Sequence, residues 1–440
     1  MSTNNQNVLP PSVNLHFWRP CNMRCRFCFA TYEDTADELP RGHLPREQLL
    51  DLIDLLADAG ARKLTFVGGE PTLCPWLGEL ITHAKQRRLT TMVVTNGWKL
   101  RDPEYMSREL GDLDWLTLSV DSVRKHRNLL SGRAHRGAEV LSADDLLAIG
   151  ARARELNMAL KLNTVVHTHN ADDDLRAFVR ELQPQRWKLF RVLPVDGQND
   201  AHIAELEISQ AQFDDYVARH RELERLEIDL VPEDNNDMRG TYAMIDPRGC
   251  FYDSVDGRYC YSAPILEVGV ERAWTDIRFS PERFVERGGA YSFERPKTPR
   301  DALARARELH GGPRGPLVFG ADVEVGIADL AADAGPPDKI LDHLGHLAEL
   351  AQARREGPLG RTMVMWLRAH NVDVSSESAS TRSCASAQQR RCWHDGHRVH
   401  EFSFHTKPNN NTRPDRLVRI YFDWDSEREV IVIGWIGRHP

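Results

Sequence analysis

The chain has 440 residues, 41% of them hydrophobic, enough for two domains or for one large barrel with an extension. Its formal charge of −8 at neutral pH excludes a general attraction to nucleic acid and leaves any anionic substrate to a local cluster of cations. No signal-type apolar segment or run of transmembrane length occurs, so no membrane partner and a cytoplasmic location are expected, in a reducing compartment that suits free thiols.

Residues 1–11 read as a loose polar tail. Val13, Leu15 and Phe17 alternate as a first strand, and Cys21-Asn22-Met23-Arg24-Cys25-Arg26-Phe27-Cys28 follows directly. Cysteines at this spacing can place three thiolates on three irons of a [4Fe–4S] cube and leave the fourth iron open. An ordinary electron-transfer cluster takes four cysteines, so the vacant iron points to a small molecule coordinated there. A structural zinc site would need a second Cys or His pair nearby, and none precedes the helix expected from near Leu44.

That helix, Pro45–Gly60, carries Leu49, Leu52, Ile53 and Leu56 on one face. Strand-like runs at Lys63–Val67, Thr91–Thr95, Trp115–Val120, Ala159–Val166 and Arg186–Leu193 then alternate with helical runs at Trp76–Arg88, Pro103–Leu110, Ser142–Leu156 and Asp173–Leu182. Six strands with intervening helices predict an α/β fold, a parallel sheet curved into a partial (βα)6 TIM-like barrel. The outward face of such a sheet packs on helices, so polar residues at every second position must face inward. Lys161 and Asn163 alternate with Leu160 and Leu162, Arg186 and Lys188 with Trp187 and Leu189, and Thr117, Ser119 and Asp121 with Leu116, Leu118 and Val120. Several such strands after a cysteine loop predict a polar, cationic cavity. Gly68-Gly69-Glu70-Pro71 ends the second strand, where two glycines let backbone approach a ligand and Glu70 can receive an ammonium group. Thr95-Asn96-Gly97 closes the third strand in the same way, or as a plain turn.

Beyond Leu193 a helix over Ser209–Glu222 and short strands near Glu227–Val231, Tyr242–Ile245 and Ile265–Val268 are expected, then a flexible basic loop at Arg287-Gly288-Gly289-Ala290-Tyr291. Pro296, Pro299, Gly311, Gly312, Pro313, Gly315 and Pro316 crowd the next stretch. The expected division is therefore a catalytic domain over 1–295, a linker over 296–316 and an α+β extension over 317–440. The extension should hold an amphipathic helix with Ile340, Leu341, Leu344, Leu347 and Leu350 on its apolar side, and a terminal hairpin of Leu417–Asp423 with Val430–Ile436. Cys384, Cys392, His394, His397 and His400 fit no common zinc spacing and read as solvated loop residues. The basic Arg413–Arg419 stretch beside the hairpin distantly suggests small RNA-binding folds.

The cysteine motif, with aromatic Phe27 before its last cysteine, resembles the signature of radical S-adenosylmethionine (SAM) enzymes. Further motifs narrow the likeness: Arg62-Lys63 before Gly-Gly-Glu-Pro, Ser119-Val120-Asp121-Ser122, Leu160-Lys161-Leu162-Asn163, Arg186-Trp187-Lys188, Val231-Pro232-Glu233, Gly269-Val270-Glu271 and Arg287–Tyr291. In this order and spacing, over about residues 12–293, the chain resembles the viperin family in its soluble, prokaryotic form. The resemblance implies a [4Fe–4S] cluster on Cys21, Cys25 and Cys28, and SAM held near Gly68, Gly69, Glu70, Asn96, Ser119 and Arg133. It also implies a nucleoside triphosphate (CTP, UTP or GTP) held by Lys63, Lys161, Asn163, Arg186, Lys188 and Arg287, with the Arg287–Tyr291 segment folding over it.

The implied reaction takes hydrogen from C4′ of the ribose and loses the 3′-hydroxyl as water. An electron and a proton then complete the 3′-deoxy-3′,4′-didehydro nucleotide, a chain terminator for antiviral or antiphage defence. Tyr242 matches a tyrosine proposed to act in that last reduction, and a flavodoxin- or ferredoxin-type protein is the implied electron donor. Two other readings compete. A peptide-modifying radical SAM enzyme would need denser cysteines than Cys250, Cys260, Cys384 and Cys392, and an iron–sulfur redox sensor with an RNA-binding tail would leave the inward cations idle.

Overall fold

In the computed structural model the described residues are 9–440 except 227, 292, 294, 295, 297, 332, 333, 371, 377–391, 395–398, 403, 410–412, 414, 415, 439 and 440. Cys384, His397 and the expected domain end at Arg295 lie outside them. The chain divides into two compact units, Met1–Phe293 and Glu294–Pro440.

The first unit is built on ten strands: β1 (Ser12–Trp18), β2 (Lys63–Gly68), β3 (Thr90–Thr95), β4 (Trp115–Ser119), β5 (Ala159–Val166), β6 (Arg186–Arg191), β7 (Asp229–Glu233), β8 (Ala243–Ile245), β9 (Cys250–Asp253) and β10 (Cys260–Pro264). They pair in the order β10-β9-β8-β1-β2-β3-β4-β5-β6-β7, parallel from β8 to β7 and antiparallel from β8 to β10. The expected partial barrel is present, and the sheet is longer than six strands at both ends. Helices α1 (Arg46–Asp58), α2 (Leu77–Gln86), α3 (Pro103–Glu109), α4 (Lys125–Leu130), α5 (Ala143–Glu155) and α6 (Arg176–Leu182) run between the first six strands. The helix Gln210–His220 matches its expected place.

Two sequence expectations fail for local reasons. Ile265–Val268 is a helical turn rather than a strand, flanked by Pro264 and by Gly269 at φ 81°. Three apolar residues among four carry no period that separates the two states. Glu227 lies outside the described residues, and β7 starts at Asp229 and runs on to Glu233. Pro232 is tolerated there because β7 ends the sheet.

Alternation along the strands decides what faces the interior. Leu116, Leu118, Leu160, Leu162, Trp187 and Leu189 join the core under the helices. Their neighbours line up in the opposite rows: Lys161 pairs with Thr117 and Arg186, and Asn163 with Ser119 and Lys188. Residues of β1 through β6 and of β8 border one cavity, so the sheet curls around it. Gly289 and Tyr291 lie at its floor. Tyr291 and Phe293 pack with Met92, Trp115 and Ala159 at the strand starts, and the Trp115 Nε1–H donates to the Phe293 carbonyl at 2.8 Å.

The second unit has a five-stranded sheet in the order Leu317–Phe319, Val430–Gly437, Arg419–Asp425, Phe404–Thr406, Val374–Ser376. The helix Pro337–Glu356 buries Ile340, Leu344, Leu347 and Leu350, with Leu341 partly buried, and the terminal hairpin pairs antiparallel. The 296–316 stretch carries the helix Pro299–His310, whose Ala302, Leu303 and Ala306 enter the core of this unit. Two tail expectations are corrected. His400 is buried with its Nδ1 at 3.4 Å from Asp423, since strand alternation turns it inward, and Arg419 is buried with its guanidinium on the Asn409 and Val418 carbonyls. Among the described residues of this unit no three His, Cys, Asp or Glu side chains come together as a metal site.

Leu162 is fully buried between the sheet and its helices. Leu162→Ala is expected to cost about 2–5 kcal/mol, read as a lower denaturant midpoint of the far-ultraviolet signal.

Candidate active site

The cysteine loop leaves β1 at the top of the sheet. Cys21, Cys25 and Cys28 are unpaired, half-buried and all border the cavity. A turn closes the loop, with the Cys28 N–H donating to the Cys25 carbonyl at 3.1 Å, and the Met23 N–H points at the Cys21 sulfur at 3.4 Å. Burial pushes the Cys21 thiol up to about 11 and the Cys25 thiol up to about 12, so a bound cation is needed to hold them as thiolates. Three undisulfided sulfurs on one loop, all facing one cavity, fit a cluster that takes three protein ligands.

Gly68 and Gly69 hold this loop by contact with backbone. At Gly68, φ is +149° and a Cβ would lie 2.3 Å from the Trp18 carbonyl oxygen; at Gly69 a Cβ would lie 2.1 Å from that of Arg19. The Gly69 N–H donates to the Trp18 carbonyl at 2.6 Å and the Glu70 N–H to that of Pro20 at 2.9 Å. The closest approach these glycines permit is therefore to the residues before Cys21, while both also border the cavity. Glu70 is buried and mostly satisfied. Its Oε1 accepts from Thr72 N–H at 3.0 Å, Thr72 Oγ1 at 2.6 Å and Thr95 Oγ1 at 2.7 Å, and its Oε2 from Asn96 N–H at 2.8 Å. Oε2 has room for one more donor. Asn96 and Ser119 also border the cavity, as does Arg133, which is ion-paired to Asp121 and lies 5.2 Å from the Phe27 ring centre.

The far end of the cavity is cationic. Lys63 and Lys161 are buried, and burial, reinforced by neighbouring cations, pushes both well below the usual lysine range. Lys63 Nζ donates to Tyr291 Oη at 2.7 Å; no protein acceptor is found for Lys161 among the described residues. Lys188 is pushed down to about 8 by burial, against the pull of Glu233. Arg186 does not border the cavity. Its guanidinium pairs with Asp229, donates to the Gly288 carbonyl at 2.6 Å and lies 4.1 Å from the Tyr291 ring centre. Asn163 borders the cavity with its Oδ1 buried and unpartnered.

Glu233 is the site residue that sequence reasoning missed. It is fully buried, pairs with Lys188 and with Arg287 at 3.1 Å, and accepts from Tyr242 Oη. Burial works against its charge, but Lys188 and Arg287 outweigh it and hold the carboxyl below its usual range. The signal was present: Glu233 lies two residues after Val231, on the same face, and a strand drawn to its true end would have pointed it inward. Tyr242 borders the cavity, accepts from Lys188 Nζ at 3.0 Å, and has the Arg287 guanidinium 3.7 Å from its ring centre. Arg287 is locked rather than flexible, bonded also to Thr241 through Nε at 2.8 Å and Nη2 at 2.7 Å. The loop it opens is tightly packed, since a Cβ on Gly289 would lie 2.4 Å from the Phe284 carbonyl oxygen.

The radical SAM superfamily model matches residues 15–182. An S-adenosylmethionine-dependent nucleotide dehydratase of Flammeovirga pacifica is 44% identical over 291 residues, covering 66% of this chain and 98% of that protein. One from Lacinutrix mariniflava is 42% identical over 284 residues, 64% of this chain and 59% of that protein. The S-adenosylmethionine-dependent nucleotide dehydratase RSAD2 of Danio rerio is 36% identical over 293 residues, 65% of this chain and 78% of that one.

The buried lysines have a cost in the ligand-free protein. The unfolded chain protonates them near their ordinary value of about 10.4, whereas the folded chain does so only at lower pH. Stability therefore falls as pH drops below about 10.4, and the slope ends below the lowered folded values. Lys161→Met is expected to raise the melting temperature of the ligand-free protein at neutral pH and to flatten this slope, as read by scanning calorimetry at several pH values.

Proposed function

The chain belongs to the viperin family of S-adenosylmethionine-dependent nucleotide dehydratases within the radical SAM superfamily, and on that premise we propose that its substrate is a ribonucleoside triphosphate, CTP, UTP or GTP. The product would be the 3′-deoxy-3′,4′-didehydro triphosphate, a chain terminator made in the cytoplasm against viral or phage polymerases. The observation that carries the substrate class is the charge balance at the cavity floor. Lys63, Lys161, Lys188 and Arg287 border it and Arg186 lies behind Tyr291, with Glu233 as the buried counter-charge and Asp229 half-exposed. Two carboxylates leave three of the five cations unmatched. Buried cations in excess are costly, and a triphosphate, at about four negative charges, supplies what is missing through charge-assisted hydrogen bonds.

The cavity volume supports two ligands. At about 1030 Å³ it is at the upper end of single small-molecule sites, and its ends differ in chemistry. In this reading Cys21, Cys25 and Cys28 hold the cluster at the top, with SAM beside it against Gly68, Gly69, Glu70, Asn96, Ser119 and Arg133. Together the cluster and SAM supply a radical that abstracts hydrogen. Lys63, Lys161, Asn163 and Lys188 hold the phosphates at the floor, with Arg186 and Arg287 adding charge from behind. The ribose is then held between the two ends. In this reading the Tyr242 phenol passes one electron to the sugar at the last step while Glu233, hydrogen-bonded to its hydroxyl, takes the phenolic proton, and the external one-electron donor restores the tyrosine. Among the described residues no helix is long and apolar enough to cross a membrane.

Lys161 tests the phosphate assignment most directly, because removing it orphans no protein partner. Lys161→Ala is expected to weaken triphosphate binding roughly ten- to a hundredfold, one charge-assisted bond being worth about 1.5–3 kcal/mol, with SAM binding unchanged by calorimetry. Binding to the parent should be accompanied by proton uptake, visible as a buffer-dependent enthalpy, since phosphate raises lysine pKa values that burial had lowered. Unchanged affinity and no proton uptake would remove the floor as the phosphate site.

A further inference from the structure

We propose that the surface made by α4 and the cysteine loop is the docking face for a small, acidic, one-electron carrier protein, a flavodoxin or ferredoxin by chemistry. The inference rests on the dehydratase reading, which takes up two electrons per product: one to generate the radical and one to complete the dehydration.

Three contacts make α4 and the cysteine loop one surface. The Arg26 N–H donates to the Ser131 carbonyl at 2.9 Å and the Arg136 N–H to that of Asn22 at 3.0 Å. Between them Gly132, at φ +76°, lies so close that a Cβ would be 2.1 Å from the Arg24 carbonyl oxygen. A protein resting on the end of α4 therefore rests on the backbone that holds Cys21 and Cys25.

The outer side of this surface has an apolar centre and a basic rim. Leu129 and Leu130, in the last turn of α4, are 38% and 50% exposed. Exposed leucines taken singly are ordinary, but these two are adjacent and are accompanied by exposed Arg24, Arg26, Arg124, Lys125 and Arg136. The carboxylates nearby are fewer. Asp172 and buried Asp173 are ion-paired to Arg127, with Arg124 3.5 Å from Asp173, and Glu139 is exposed. On a chain of charge −8 this local positive field is the reverse of the body's. An acidic partner is repelled elsewhere and drawn here, and the leucines give the encounter a dry centre. The location also fits the electron balance. Tunnelling falls off exponentially with distance, so a carrier must dock beside the cysteines. Each docking passes one electron to the three-cysteine site while the carrier is oxidised by one, a flavin hydroquinone leaving as the semiquinone.

The test uses the full chain with Leu129→Glu plus Leu130→Glu, and separately Lys125→Glu. Binding of an acidic flavodoxin to the cluster-free protein is measured by biolayer interferometry at low and high salt. Product formation is then measured on the reconstituted enzyme with reduced flavodoxin or with dithionite. The double variant is expected to weaken flavodoxin binding about tenfold or more and Lys125→Glu several-fold, the parent's affinity should fall with salt, and dithionite-driven turnover should match the parent in both variants. Unchanged flavodoxin binding overturns the docking face, and so does an equal loss with both reductants, which would make these side chains part of the site's own structure. Absence of product from the parent with dithionite counts instead against the dehydratase reading, and the binding measurement on cluster-free protein still decides the docking face.

Discussion

An excess of buried positive charge is the constraint on which the rest of this site depends. Lys63, Lys161, Lys188 and Arg287 border the floor of one cavity with Arg186 behind Tyr291, and the buried carboxylate among them is Glu233. The protein tolerates this because the charges are partly suppressed: burial and mutual repulsion lower Lys63, Lys161 and Lys188, and Lys188 and Arg287 share the carboxylate of Glu233. On the proposed reading, the result is a site preorganised for a polyanion and poorly satisfied without one. Stability is set against binding, since any change that relieves the repulsion also removes an anchor.

The two ends of the cavity are built by different devices. The floor comes from strand register, which lays Lys161 beside Arg186 and Asn163 beside Lys188, and from Tyr291, which receives a hydrogen bond from Lys63 and stacks under Arg186. The top comes from backbone packed against backbone. Gly68 and Gly69 bring the end of β2 against the base of the cysteine loop, and Gly132 brings the end of α4 against its middle. Side chains on these three residues would push the loop away from the strands, and the thiols with it. Glycine at the top thus does for loop placement what alternation does for the cations.

Tyr242 gains its chemical setting from the same arrangement. Alone it would be an aromatic residue before a short strand. In place, its hydroxyl is shared between Lys188 and Glu233 and its ring lies under Arg287, so a proton leaving the phenol has a charged acceptor at hand. The same carboxylate therefore orders the cations Lys188 and Arg287 and the residue proposed to finish the reaction.

The sequence by itself determined the cysteine spacing, the alternation of strand and helix, and the inward rows on β4, β5 and β6, because each is a local pattern with a physical period of two or of 3.6 residues. It also carried enough short motifs in order to mark the family. It could not determine the partners of those inward residues. Arg186 turned out to face Asp229 and Tyr291, Gly68 and Gly69 to face the Trp18–Arg19 backbone, and Arg287 to be locked to Glu233 from 54 residues away in sequence. The strand ends at Glu233 and the helical turn at Ile265 were likewise lost, since a four- or five-residue segment takes its state from what it pairs with. Only the tertiary structure decided that β7 closes the cationic floor and β8 returns beside β1, for these pairings join segments far apart in the chain and no local period encodes them.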